Sequence, residues 1–291
     1  MLEHVRRLFP NLRLLILLLI LGCALADNRA ASQTPKDKHG KPLKIGLQLY
    51  SVREDCAKDL PATLESIAEM GYTGVEFAGY YGRSADEIRK LLVQDKLACY
   101  GTHVDINAIT GDNLEKTIAY CKTIGCKFIV VPWLPEDRRN SKASTIATAH
   151  FFTETAAKTK AAGIILGWHN EDYEFKEIDG ATIWETFWAN AGNDVAMEFD
   201  TGNALAAGVQ AAPYLVRYPK HVQSIHVKDH SETNKNALLG EGDEHWNEVI
   251  PILKNKLSPK WFIIEQESYG EPPLVCVNKC LQNFRKLWAT Y

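Results

Sequence analysis

Gly167-Trp168-His169-Asn170-Glu171 is the stretch on which the fold turns. The apolar run Ile164 to Trp168 reads as a short strand, and it passes without a break into an imidazole, an amide and a carboxylate. Three later stretches repeat the pattern: Met197-Glu198-Phe199-Asp200, Ile225-His226-Val227-Lys228 and Ile263-Ile264-Glu265-Gln266-Glu267. Each is a strand-like run ending in groups that bind metals or move protons, with helix-like sequence between them. When the carboxyl ends of successive parallel strands all carry such groups, the chain wraps those ends around one site.

Working outward, the same alternation begins at Lys44. Strands are expected at Ile45–Leu49, Thr73–Phe77, Leu97–His103, Phe128–Val131, Ile164–Trp168, Val195–Phe199, Val222–Val227 and Trp261–Glu265. Helices are expected at Asp59–Met70, Ser84 (as N-cap) to Gln94, Asn113–Ile124, Ser144–Ala161, Ile183–Ala189, Ala211–Tyr218, Trp246–Lys256 and Leu274–Trp288, with Gly71 and Gly125 as stops. Eight strand–helix units in about 250 residues fit an α/β (β/α)₈ TIM barrel over residues 44–291. The strands are apolar on both faces, as buried parallel strands are. A doubly wound open sheet would need a glycine-rich phosphate turn after an early strand; Gly71-Tyr72-Thr73-Gly74 precedes one instead. The longest connection, Asp229–Glu244, is expected to form a lid.

Residues 1–26 read as a signal peptide: Arg6, Arg7 and Arg13 precede the apolar run Leu14–Leu21, far short of the ~20 residues that span a bilayer. Ala24-Leu25-Ala26 offers a cleavage site. Ile20-Leu21-Gly22-Cys23 equally resembles a lipobox, which would remove residues 1–22 and lipidate Cys23. Residues 27–43 then form a flexible linker. The chain is expected to be exported: periplasmic, envelope-anchored or secreted, and touching membrane only through such an anchor. Cys56, Cys99, Cys121, Cys126, Cys276 and Cys280 can be disulfides in an oxidising compartment or free buried thiols. The formal net charge of −3 and the lack of a Lys/Arg-rich run argue against nucleic acid as partner.

Alternate strand residues face one side. This pairs His169 with Glu171, Glu198 with Asp200, His226 with Lys228, Glu265 with Glu267, Gln48 with Tyr50 and His103 with Asp105, while Glu76 stands alone. His169, Asp200, His226 and Glu265 offer two imidazoles and two carboxylates to one divalent ion. That donor set suits Mn²⁺, Co²⁺, Zn²⁺ or Fe²⁺, with Mg²⁺ a further option. Tyr50, Tyr80, Tyr81, Trp133 and Trp168 lie in or just after strands, and those at the rim suit stacking on a sugar ring.

Residues 44–288 resemble the xylose-isomerase-like TIM-barrel superfamily, whose members are often described as sugar phosphate isomerases or epimerases. The resemblance is carried by Lys44–Ser51, Gly74-Val75-Glu76-Phe77, Gly101-Thr102-His103, Trp168–Glu171, Asp200-Thr201-Gly202-Asn203, His226-Val227-Lys228-Asp229 and Glu265-Gln266-Glu267. It implies a divalent metal on His169, Asp200, His226 and Glu265. Many epimerases of the superfamily have Glu in place of His169, and two carboxylates move the proton. This chain is more similar to a subgroup with Tyr-His-Asn-His on strand five, with Trp168 and Glu171 as departures.

The expected activity is metal-dependent sugar isomerisation or epimerisation, by proton abstraction next to a carbonyl through an enediolate. Glu265 or Lys228 is the expected base, with Glu171 or Glu267 as partner acid; Gln48, Glu76, His103 and Glu267 are expected to bind substrate. With a leaving group on the next carbon the same site would be a lyase acting on 3-keto-glycosides. A metal-dependent hydrolase, or a sugar-binding envelope protein without turnover, are the alternatives from other classes. Substrate and oligomeric state are not legible.

Overall fold

The computed structural model describes residues 34–291. Eight parallel strands close into a barrel: β1 (Ile45–Gln48), β2 (Gly74–Phe77), β3 (Ala98–His103), β4 (Phe128–Val131), β5 (Ile165–His169), β6 (Val195–Asp200), β7 (Val222–Val227) and β8 (Trp261–Ile264). Neighbours in sequence are neighbours in the sheet, and β8 pairs with β1, Leu47 lying opposite Ile264. The helices are α1 (Arg53–Met70), α2 (Ala85–Gln94), α3 (Asn113–Ile124), α4 (Lys142–Ala161), α5 (Ile183–Asn190), α6 (Thr201–Ala206), α7 (Ala211–Leu215), α8 (Trp246–Asn255) and α9 (Pro273–Thr290).

Local chemistry sets most boundaries. Ser84 caps α2 through a capping box with Glu87, and Gly71 and Gly125 close α1 and α3 with left-handed φ of 94° and 79°. The helix expected from Asp59 starts earlier, at Arg53. It kinks at Asp59, whose carboxylate accepts the Ala62 N–H and so restarts it ahead of Pro61. The helix expected over Ala211–Tyr218 stops at Leu215, and Tyr218 packs on Trp184 instead, with ring centroids 5.4 Å apart. The short helix α6 went unexpected.

Two apolar layers hold the barrel. Outward strand residues such as Leu47, Val75, Phe77, Ile129 and Leu166 pack on the helices. Inside, Tyr100, Phe128, Val130, Ala196, Trp261 and Ile263 fill the half of the barrel nearest the strand starts. Full burial of Phe128, Val130 and Ile263 contributes roughly 1.5–3 kcal/mol each. Glycines make the room. A Cβ on Gly74 would lie 2.6 Å from the Trp261 ring, and one on Gly101 2.2 Å from Glu76 Oε1. Bulges in β3, at Tyr100, and in β7, at Gln223, shift the register beside Glu76 and Glu198.

The expected flexible linker is corrected in part. From Thr34 the chain is docked: Lys36 bridges Pro42, and the Lys36 carbonyl accepts from Trp288 Nε1 at 3.0 Å. Asp37 Oδ1 ties the turn by accepting the His39 and Lys41 N–H groups, and Leu43 is buried. The signal-peptide reading falls on residues outside those described. No described helix is long and apolar enough to cross a membrane. The six described cysteines are free and buried.

The expected lid is also corrected. The Asp229 carboxylate accepts four hydrogen bonds, from the backbone of His230, Gly240 and Glu244 and from Trp246 Nε1, and Ala237, Leu238 and Leu239 are buried. Residues 229–245 thus form a pinned wall. They line a second cavity of about 330 Å³, beside the main one and sharing Glu267 with it.

Candidate metal centre

His169 and Asp200 end β5 and β6, His226 is next to last in β7, and Glu265 directly follows β8. All four are buried, and one donor atom from each lies within 4.8 Å of the others. His169 Nε2 is 3.4 Å from Asp200 Oδ2, and His226 Nδ1 is 3.6 Å from Asp200 Oδ2 and 3.2 Å from Glu265 Oε2. An ion with bonds of about 2.0–2.2 Å to four tetrahedral donors sets those donors roughly 3.3–3.6 Å apart. His169 Nε2 and Asp200 Oδ2 are buried without a hydrogen-bond partner, the signature of groups aimed at something other than protein. The other ring nitrogen of His169 faces the Pro132 carbonyl at 3.4 Å. A carbonyl only accepts, so Nδ1 carries the proton and Nε2 turns a lone pair inward.

Asp200 is gripped by amides. Asn170 Oδ1 accepts the Asp200 N–H at 2.9 Å, while Asn170 Nδ2 donates to the Asp200 carbonyl at 3.0 Å. Asp200 Oδ1 caps α6 by accepting the Asn203 N–H at 2.7 Å, which leaves Oδ2 free to face the centre. Asn203 ties the rim together. Its Nδ2 donates to the Asn170 carbonyl and to Glu171 Oε2, and its Oδ1 accepts from Lys228 Nζ at 2.8 Å. Neither Asn was among the expected site residues, although both lie inside the quoted motifs. Glu174 is a third omission: its carboxylate accepts the Glu171 N–H at 2.7 Å.

Beneath this centre lies a second group of donors: Glu76, His103, Glu198 and His226. Here the contacts are shorter. His226 Nε2 is 2.8 Å from Glu76 Oε2, and His103 Nε2 is 2.8 Å from Glu198 Oε1, with cross-contacts of 3.2 and 3.3 Å. These are charge-assisted hydrogen bonds, the two shortest closer than the spacing of tetrahedral donors around one ion. Glu198 Oε2 also accepts from Ser224 Oγ, and Gln48 Nε2 donates to Glu76 Oε2 at 3.1 Å. The lower layer therefore presents Nε2–H of His226 to carboxylates and leaves Nδ1 for the centre above, a carboxylate–histidine–metal arrangement. Burial favours a neutral His103, but Glu76 and Glu198 outweigh it and raise the imidazole to about 10.

A cavity of about 490 Å³ opens above the centre, lined by His103, His169, Glu171, Glu265 and Glu267, with exposed Tyr50 and Trp133 at its edge. Trp168, by contrast, is buried against Phe187, and Tyr80 stacks on Tyr120. Of the expected substrate contacts, His103 and Glu267 reach the cavity. Gln48 and Glu76 do not: both are fully buried below its floor and hold the lower layer.

Lys228 is corrected as a base. Its Nζ donates to Asn203, Glu265 and Glu267, which uses all three N–H bonds of an ammonium. Burial opposes that charge, but Asp200, Glu265 and Glu267 hold it well above the usual lysine range. Burial alone would raise Glu265; the Lys228 ammonium and His226 beside it bring it down to about 2, which makes it a weak base. Glu171 moves the other way. Its burial raises the carboxyl, and His169 and Lys228 only partly offset this.

The donor set thus fits a divalent ion. Asp200, Glu265, Glu76 and Glu198 are four buried carboxylates set against the Lys228 ammonium and the His103 imidazolium, a negative excess of two that one such ion would offset.

The comparisons agree with this architecture. No protein of curated function matches the chain in sequence. A sugar phosphate isomerase/epimerase from Parabacteroides distasonis ATCC 8503 superposes with a TM-score of 0.73 at 22% identity, covering 88% of this chain and 95% of that one. L-ribulose 3-epimerase gives 0.67 at 12% identity (85% and 95% covered), and the IolI protein with a bound zinc atom 0.65 at 14% (86% and 99%). At such identities the likeness is one of fold. The sequence profile of the xylose isomerase-like TIM barrels, however, matches residues 64–281, and the chain belongs to that family.

Proposed function

We propose that the protein is a divalent-metal-dependent sugar isomerase or epimerase. The observation that carries the reading is the upper donor quartet, spaced for an ion and opening onto a cavity whose wall holds Glu171. His169, Asp200, His226 and Glu265 would hold the ion. When bound, it supplies Lewis-acid polarisation of vicinal sugar oxygens.

The chain's own groups do the rest. Glu171 takes the proton from the carbon next to the carbonyl, its raised affinity for a proton being matched to that task. Returning the proton to the same carbon from the other face epimerises; returning it to the former carbonyl carbon isomerises. Glu267 at the cavity wall is the second carboxylate available for proton transfer. Lys228 keeps Glu265 ionised, and Tyr50 and Trp133 flank the ring. The N-terminal sequence supports export of the enzyme.

The second cavity, which shares Glu267 with the first, favours a second reading: a substrate extending beyond one ring, with β-elimination of the outer group. Incubation with Mn²⁺, Co²⁺ or Zn²⁺ and a panel of free and keto sugars in D₂O tests both. Deuterium at one carbon of an intact sugar supports isomerase or epimerase chemistry, and release of the outer group supports elimination. Absence of both across the panel refutes proton abstraction.

A further inference from the structure

The end of the barrel opposite the site carries a separate feature. Lys44, Lys96, Lys127, Lys220 and Lys260 each stand within two residues of the start of a strand, β1, β3, β4, β7 and β8, and all five are exposed. Parallel strands start at one face, so residues scattered through the sequence gather there. Beside this ring is a cavity of about 460 Å³ lined by Lys38, Lys41, Lys44, Lys254 and Lys260, with Asp37 its single carboxylate. Asp37 Oδ1 is engaged by two backbone N–H groups of its own turn. Among the described residues, none of these five lysines has an ion-pair partner. The chain as a whole has a formal charge of −3, so this concentration of cations runs against the average.

We propose that this face docks on an anionic phospholipid surface. Charge complementarity is one argument. The course of the chain is the other. Residues 34–43 lie on this face, with the Lys36 carbonyl bonded to Trp288 and Lys38 and Lys41 in the cavity wall. Cys23, which the lipobox reading would lipidate, stands eleven residues before Thr34, a reach of roughly 40 Å at most. A lipid on Cys23 would therefore be held close to the lysines. A weak apolar or lipid attachment and a basic face are the two signals that together give stable membrane association. Docked this way, the catalytic mouth faces away from the bilayer.

The test is co-sedimentation of the full chain with vesicles of phosphatidylcholine alone and of phosphatidylcholine with phosphatidylglycerol. Any N-terminal attachment contributes to both; the lysines act on the second. Tighter binding to the anionic vesicles, weakened by salt, is expected. Lys38→Glu, Lys41→Glu, Lys127→Glu and Lys260→Glu together should remove the preference, with roughly fivefold lost per lysine neutralised. The matching Lys→Gln set, with unchanged circular dichroism and metal content, should give an intermediate loss. Equal binding to both vesicles, or a preference that survives in the variants, overturns the proposal. So does tighter binding to duplex DNA than to anionic vesicles at equal phosphate.

Discussion

Glu76 on β2 and His226 on β7, strands that β1 and β8 separate in the sheet, meet inside the barrel with Oε2 and Nε2 2.8 Å apart and no exposure to solvent. The contact fixes which imidazole nitrogen is free to face Asp200 and Glu265. Glu76→Gln keeps the shape but weakens the acceptor. Metal affinity, measured by calorimetric titration, is expected to fall roughly 10–100-fold, as for other partners of metal-bound histidines. An unchanged affinity would mean that the lower layer does not orient the ligand.

Asn170→Ala removes the two hydrogen bonds that grip the Asp200 backbone. Both backbone groups are buried, so denaturant unfolding of the chelated protein should show a loss of about 2–4 kcal/mol. Added Mn²⁺ or Zn²⁺ should recover part of it, because bound ion holds Asp200 from the other side. Asn170→Asp still accepts the Asp200 N–H but cannot donate to the Asp200 carbonyl, and should recover little.

Glu171→Gln separates proton transfer from metal binding. The ion content should stay at the wild-type level, since Glu171 is outside the quartet. Turnover and deuterium incorporation should fall roughly 10²–10⁴-fold. A full rate in this variant would move the base to Glu267.

The chelated protein should also show a particular pH dependence. His103 binds its proton more tightly when folded, with its titration raised from ~6.5 to about 10. Its contribution to stability is complete below ~6.5 and is lost as pH climbs to about 10. Glu265 does the reverse: its contribution is present above ~4.3 and is lost as pH falls toward about 2. Thermal unfolding across pH 6.5–10 should therefore show a falling midpoint, and His103→Gln should flatten it.

The eight strands were legible because buried parallel strands leave short apolar runs at regular intervals, and α3, β4 and β7 fall where those runs place them. The four upper donors were legible because alternation along a strand fixes the side on which a residue stands. What that rule does not give is depth. Gln48 and Glu76 share the inward side with the donors, yet they sit a layer lower, and depth depends on strand stagger and on the bulges beside Tyr100 and Gln223. Glu198 was paired with Asp200 in sequence and left without a role for the same reason. Asn170 acts on the backbone of Asp200, and Asn203 joins Asn170, Glu171 and Lys228, roles that no spacing rule marks. The Asp229–Glu244 loop looked free because its length was visible and the four bonds to one carboxylate were not.

Gly74 lets the indole of Trp261 lie across the barrel axis, where Tyr100 and Phe128 pack around it. The interior is thereby stoppered. An apolar layer of six side chains thus lies between the site and the opposite end of the molecule. Changes to the face at the strand starts are therefore expected to leave the donor quartet at the other end undisturbed.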